Sequence, residues 1–162
     1  MITSWVWALG GLLIGCSMTS PDSGADHDVQ FIQIFYHSGL LDELDTFHGT
    51  YQKDLIPGTM TTTMWLTTRE QEIILTKVER IRFWLLPDTV RRPPGVSIAP
   101  DMGPQGIRIK YKDQDKTIVW YDPMDSHSKA KEQIDELRHL LSDIIFSKPE
   151  YKALPPTKGG YM

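Results

Sequence analysis

The chain has 162 residues, 17 Lys and Arg against 21 Asp and Glu, a net charge of −4 and a single cysteine. The mild acidity argues against general nucleic-acid binding, which needs a basic footprint, and one cysteine excludes an intramolecular disulfide. The length suits one domain with a single apolar core, built without metal or disulfide support.

Residues 5–14 are apolar with small glycines, half the roughly 20 residues that a bilayer-crossing helix needs. That is the length of a signal-peptide h-region. The run closes on Leu13, Ile14, Gly15 and Cys16, and a polar segment containing Pro, Gly and Ser follows at once. This ending resembles the lipobox of bacterial lipoproteins. In proteins with a lipobox the cysteine sulfur receives a diacylglyceryl group, and cleavage leaves that cysteine as the new N-terminus. The resemblance implies that residues 1–15 are a signal peptide and that Cys16 is the site of lipid attachment. It also implies a chain held on the extracytoplasmic side of a cell membrane or outer membrane. Two acyl chains would suffice, since each buried methylene contributes about 0.8 kcal/mol. Residues 1–4 carry no Lys or Arg, a departure from the usual positive n-region. The alternative is a buried N-terminal element with a free core cysteine. Residues 16–28 are polar without apolar periodicity and read as the lipidated cysteine and a flexible tether.

The segment 29–36 is rich in β-branched and aromatic residues and predicts a first strand; apolar residues at both parities predict a central one with both faces at least partly covered. Residues 40–54 hold Asp42, Glu43, Asp45, Phe47, His48 and Tyr51 and read as a short strand or an ordered loop. A strand over residues 59–66 should put Met60, Thr62, Met64 and Leu66 on one face. Thr67 and Glu70 make a capping-box pattern, opening a helix with Ile74, Val78, Ile81 and Leu85 on one stripe. Residues 89–106, with four prolines and three glycines, form a long connection of functional or mobile type. Ile107, Ile109 and Tyr111 alternate with Arg108, Lys110 and Lys112; after a turn at 113–115, residues 116–121 complete an antiparallel hairpin. A second helix from 126–128 to about Phe146 places Ala130, Ile134, Leu137, Leu141, Ile144 and Ile145 on one side, and Pro149 ends it. Tyr151 and Leu154 in the tail are positioned to pack on the domain. Residues 29–162 thus predict a single α+β, two-layer domain: a mostly antiparallel sheet of four to five strands, with two helices on one face.

Chemistry-bearing motifs are sparse. Gly95, Ser97 and Ala99 approximate a nucleophile elbow, but Pro100 stands where the helix of that motif should run. Asp42, Glu43, Asp45 and His48 form the densest polar cluster. A carboxylate three residues from a histidine can serve a metal or acid–base role, while a solvated segment looks the same. Met60 and Met64 share a face, as core methionines do. Arg108, Lys110, Lys112 and Lys116 form a basic stripe able to meet anionic headgroups or an acidic partner, and Trp84 is a candidate interface residue if it lies off the helical stripe. There is no phosphate loop, paired-cysteine motif, metalloprotease helix or dinucleotide fingerprint.

These readings favour a lipid-anchored envelope protein whose domain binds an envelope component. No residue is assigned a catalytic or metal-ligating role, no cofactor is expected, and the partners are a membrane, through the anchor, and an envelope protein. The candidate binding residues are Asp42, Glu43, Asp45, His48 and Trp84. One rival reading is an envelope hydrolase or metal-dependent enzyme built on Asp42, Glu43, Asp45 and His48. Another is a periplasmic inhibitor acting through the loop 89–106.

Overall fold

The computed structural model describes residues 31–38, 41–56, 58–97, 103–125 and 128–158. The lipobox, Cys16 and the tether lie outside the described residues. The element order is β1 (Ile32–His37), β2 (Glu43–Asp45), β3 (Thr50–Asp54), β4 (Thr59–Thr63), α1 (Thr68–Arg80), β5 (Thr89–Val90), β6 (Gln105–Tyr111), β7 (Gln114–Trp120), α2 (Lys129–Ser147) and α3 (Pro149–Lys152), with a 3₁₀ turn Phe83–Leu85 after α1.

Among the described residues the strands form one seven-stranded sheet in the order β4-β3-β2-β1-β6-β7-β5. All neighbours are antiparallel except β5, which runs parallel to β7. The domain is α+β as expected, but four to five strands is an undercount and the sheet is mixed. The acidic stretch after β1 supplies two strands rather than one or a loop. The long connection contributes Thr89 and Val90, whose pairing with Val119 and Trp120 needs a partner about thirty residues away. Short strands of this kind are held by their neighbours and leave almost no local periodicity. The centre of the sheet is β1, between β2 and β6, as expected, but among the described residues helices cover only one of its two faces.

Alternation splits each strand between two faces. Ile32, Ile34 and Tyr36 of β1, Leu44 of β2, Tyr51 of β3, Ile107 and Ile109 of β6, and Ile118 and Trp120 of β7 are all buried. They share a cluster with Ile74 and Val78 of α1 and Ile134, Leu137, Leu141 and Ile145 of α2. Full burial of each such side chain contributes roughly 1.5–3 kcal/mol, so this face of the sheet, closed by helices, is the core.

The capping box forms as predicted: Glu70 N–H donates to the Thr67 hydroxyl at 3.3 Å and Thr67 N–H donates to the Glu70 carboxylate at 2.7 Å. One turn further on, the buried Gln71 side chain accepts from Phe31 and Ile32 N–H and donates to the Leu66 carbonyl. An amide that satisfies three backbone groups, two of them buried, fixes the start of β1 against α1. The helix ends when Arg82 adopts a left-handed conformation, φ 53°. That break shifts the 3.6-residue phase, so Phe83 enters the core while Leu85, expected in the buried stripe, is 79% exposed. Met64 is buried, but Met60, on the edge strand, is 42% exposed and is not a core methionine.

After Lys148, Pro149 starts the short α3, and the tail packs as predicted. Tyr151 stands edge-on to Tyr51 at 5.7 Å and 4.9 Å from the Phe146 ring, with the Lys53 ammonium 4.4 Å above it. Lys53 also donates to the Pro155 carbonyl, the Thr157 hydroxyl to the Asp54 carbonyl and Lys158 N–H to the Leu55 carbonyl. These bonds stitch the tail to the end of β3.

Candidate functional site: the uncovered sheet face

Among the described residues the helices occupy one side of the sheet. On the other, strand alternation presents Phe35 and His37 from β1, Glu43 and Asp45 from β2, Thr59, Thr61 and Thr63 from β4, Arg108 and Lys110 from β6, and Thr117 and Val119 from β7. Strand register arranges them in rows. Asp45, Phe35, Arg108 and Thr117 lie side by side across β2, β1, β6 and β7, and Glu43, His37, Gly106 and Val119 form the next row.

Gly106 carries no side chain between His37 and Val119, so the second row sinks into a groove of about 230 Å³ lined by Phe35, His37, Pro104, Gly106, Thr117 and Val119. A Cβ on Gly106 would lie 3.4 Å from the Ile118 carbonyl and 3.9 Å from the Val119 side chain, so the residue leaves open space above the sheet rather than relieving a clash. Arg108 borders the groove. Its guanidinium makes two hydrogen bonds to Asp115, at 2.9 and 2.7 Å, and lies 5.0 Å from the Phe47 ring. The hydrogen bonds from Arg108 hold the Asp115 carboxyl below its usual range and raise the Arg108 pKa. The result is an apolar trough walled by the Arg108–Asp115 ion pair, suited to seating an apolar side chain of a partner beside a polar contact.

The four residues of the acidic cluster are distributed among separate tasks. Asp45 accepts from Phe47 and His48 N–H at 2.8 and 3.3 Å and lies 2.6 Å from His48 Nδ1. These are turn-forming bonds that shape the β2–β3 connection, and the His48 ring stands in solvent. Asp42 accepts from Asp54 N–H at 2.7 Å. Burial raises its pKa, against that hydrogen bond, with the Asp54 charge adding to the rise. Glu43 sits in register between His37 and Gln52. Asp42 and Asp45 therefore take different backbone donors, and only Asp45 and His48 are brought together. Trp84 is half-buried, edge-on to Phe83 at 5.4 Å and packed against the core; it does not line the groove.

The basic stripe is divided by the sheet. Arg108 and Lys110 share the uncovered face, whereas Lys116 has the parity of Ile118 and Trp120 and pairs with Asp88 at 2.7 Å. Ser97 is exposed, and residues 98–102 of the connection lie outside the described residues.

A second polar assembly lies where β7 meets α2. Arg138 donates to Asp122, Asp135 and Gln105, and Gln105 donates to Asp122 at 2.7 Å. Burial opposes the Arg138 charge, but Asp122 and a hydrogen bond with Tyr36 outweigh it and the pKa is raised. The guanidinium also stacks 5.3 Å from the Trp120 ring. With both terminal nitrogens of Arg138 donating to protein acceptors, this assembly clamps α2 to the sheet.

Sequence reasoning missed Phe35, His37, Gly106 and Val119. The signal for Phe35 was present, an aromatic on the polar parity of a central strand. A glycine that floors a groove has no signature before register is known.

Among the described residues no group of three or more His, Cys, Asp or Glu side chains is placed to hold a metal ion, and no helix is long and apolar enough to cross a membrane. No protein-family model matches the chain, and no curated protein matches it at a significant level.

Proposed function

We propose that this chain is a lipid-anchored envelope protein whose domain binds a protein or other envelope component on its uncovered sheet face and performs no chemistry. The observation that carries the binding role is the groove over Gly106: an apolar trough beside a pre-positioned arginine, on a sheet whose described helices lie on the other side. Binding surfaces favour apolar centres with ordered polar rims. The lipobox resemblance at Leu13 to Cys16 supplies the address, and a tethered domain would keep this face free to meet its partner.

The test has two parts. Intact mass of the wild-type and Cys16→Ser proteins recovered from bacterial membranes should show cleavage and acylation in the first and neither in the second. An uncleaved, unmodified, soluble wild type would remove the anchor from this reading. Cross-linking pull-down with Gly106→Leu, which fills the trough, should lose the partner that the wild type captures, with an unchanged melting temperature. Equal capture by Gly106→Leu would move the binding role off this groove.

A further inference from the structure

The two edges of the sheet are built differently. One ends on β5, two residues long and flanked by Pro87 and Pro93, the usual means of blunting an edge. The other ends on β4, five residues with no charge, no proline and no bulge: Thr59, Met60, Thr61, Thr62 and Thr63. Four of the five are exposed, and among the described residues no chain pairs with its outer side.

The ladder fixes which backbone groups lie on that side. Leu55 N–H donates to the Gly58 carbonyl and Met64 N–H to the Gly49 carbonyl, so the hydrogen-bonded pairs of the β3–β4 hairpin fall on Lys53 with Met60 and Tyr51 with Thr62. Residues between such pairs point their N–H and carbonyl groups away from the partner strand. Thr59, Thr61 and Thr63 therefore offer three donors and three acceptors outward at every second residue.

We infer that β4 pairs with β4 of a second copy of this chain, antiparallel about a twofold axis through Thr61. In that register Thr61 faces Thr61 of the other copy, and Thr59 faces Thr63 in both directions. The outward groups then close six hydrogen bonds, and two seven-stranded sheets become one. An antiparallel self-pairing of a strand is isologous and closed. Its side chains oppose no charge to a like charge, since β4 carries none.

The helix-side surface agrees. Met60 is 42% exposed and Phe146 51%, and Tyr151 links them: it contacts the Phe146 ring and lies beneath Lys53, whose cross-strand neighbour is Met60. The twofold brings each Met60 beside Thr62 of the other copy, at this patch. A five-residue edge with one apolar patch falls short of the roughly 800 Å² per partner of a standing interface. The association is accordingly weak, and becomes substantial only where copies are concentrated.

Sedimentation of the full-length Cys16→Ser protein over a wide concentration range tests the pairing. We expect a monomer–dimer equilibrium, weakened about tenfold or more by Thr61→Lys, which sets two ammonium groups opposite one another on the axis. The melting temperature of the dilute Thr61→Lys protein should match that of the parent. Thr61→Cys in the same background should form a disulfide dimer on mild oxidation. Thr59→Cys should do so only when mixed with Thr63→Cys, because the Cα spacing of paired strand residues admits a disulfide and that of residues four positions out of register does not. A monomer at all concentrations, or one that binds only an extended peptide at β4, overturns the inference. So does a dimer indifferent to Thr61→Lys, or one in which Thr59→Cys alone cross-links as well as Thr61→Cys.

Discussion

The indole of Trp65 occupies the space where residue 49 would carry a side chain: a Cβ built on Gly49 lies 2.0 Å from the Trp65 ring. Gly49 also has φ 68° and its carbonyl accepts from Met64 N–H, so one residue closes the β2–β3 turn and seats the aromatic. Gly49→Ala should cost about 2–4 kcal/mol, from left-handed backbone strain and overpacking together. Urea unfolding followed by tryptophan fluorescence would show the loss with a shifted native emission; an unchanged midpoint would mean that the ring moves aside freely.

The Arg138 clamp predicts a strong asymmetry between single and double substitutions. Arg138→Met leaves Asp122 half-buried without its cation and should cost about 2–3 kcal/mol. Arg138→Met combined with Asp122→Asn should recover a large part of it, because the uncompensated charge is gone while Gln105 keeps a neutral acceptor. A double-mutant cycle by chemical denaturation measures this, and additive losses would mean that the two residues act independently.

The ion pair between Lys148 and Glu70 joins the end of α2 to the capping box of α1, with the lysine side chain 8% exposed. Glu70→Gln retains an acceptor for Thr67 N–H but strands Lys148, for an expected loss of about 2 kcal/mol or more. Glu70→Gln with Lys148→Met should be more stable than Glu70→Gln alone. A double variant no better than the single one would place the whole cost in the cap.

Carboxylates in this fold respond to pH in opposite directions. Burial holds the Asp42 pKa above its ordinary 3.8, so the folded state binds that proton more tightly than the unfolded state. The contribution of Asp42 to stability is therefore full below 3.8 and is lost as pH rises through the raised folded value. Asp115 and Glu136 are held below their ordinary 3.8 and 4.5 by hydrogen bonds from Arg108 and from Lys77 and Arg80. Their contributions are present above those values and lost as pH falls through the lowered ones. Asp42→Asn should melt higher than wild type at pH 7, and the gap should close as pH falls toward 4. A gap independent of pH would show that the effect of the substitution is not electrostatic.

What could be read from the sequence follows the range of the interactions concerned. Thr67 and Glu70 cap α1 through bonds three residues apart, and the β6–β7 hairpin and the buried side of α2 are equally local, so each was legible. Leu85 misled because its spacing continues the stripe of Ile81, while the left-handed Arg82 that interrupts it has no side-chain signature. Thr89 and Val90 become a strand only through β7. The acidic cluster drew attention by composition, yet Asp45 serves its own turn and Asp42 the end of β3. Gly106 came into view only once register set it between His37 and Val119.

The central place of β1 has a consequence for how the chain is made. Its left-hand neighbour, β2, begins six residues after it ends, but its right-hand neighbour, β6, begins at Gln105. A chain emerging from its N-terminus can assemble β1 to β4 early, then must wait for most of the domain with the inner side of β1 unpaired and Ile32, Ile34 and Tyr36 uncovered by α2. Long waits of this kind slow folding and expose sticky strand edges. Nascent chains stopped before residue 105 should therefore be insoluble or chaperone-bound, and solubility should return only once β6, β7 and α2 are all complete.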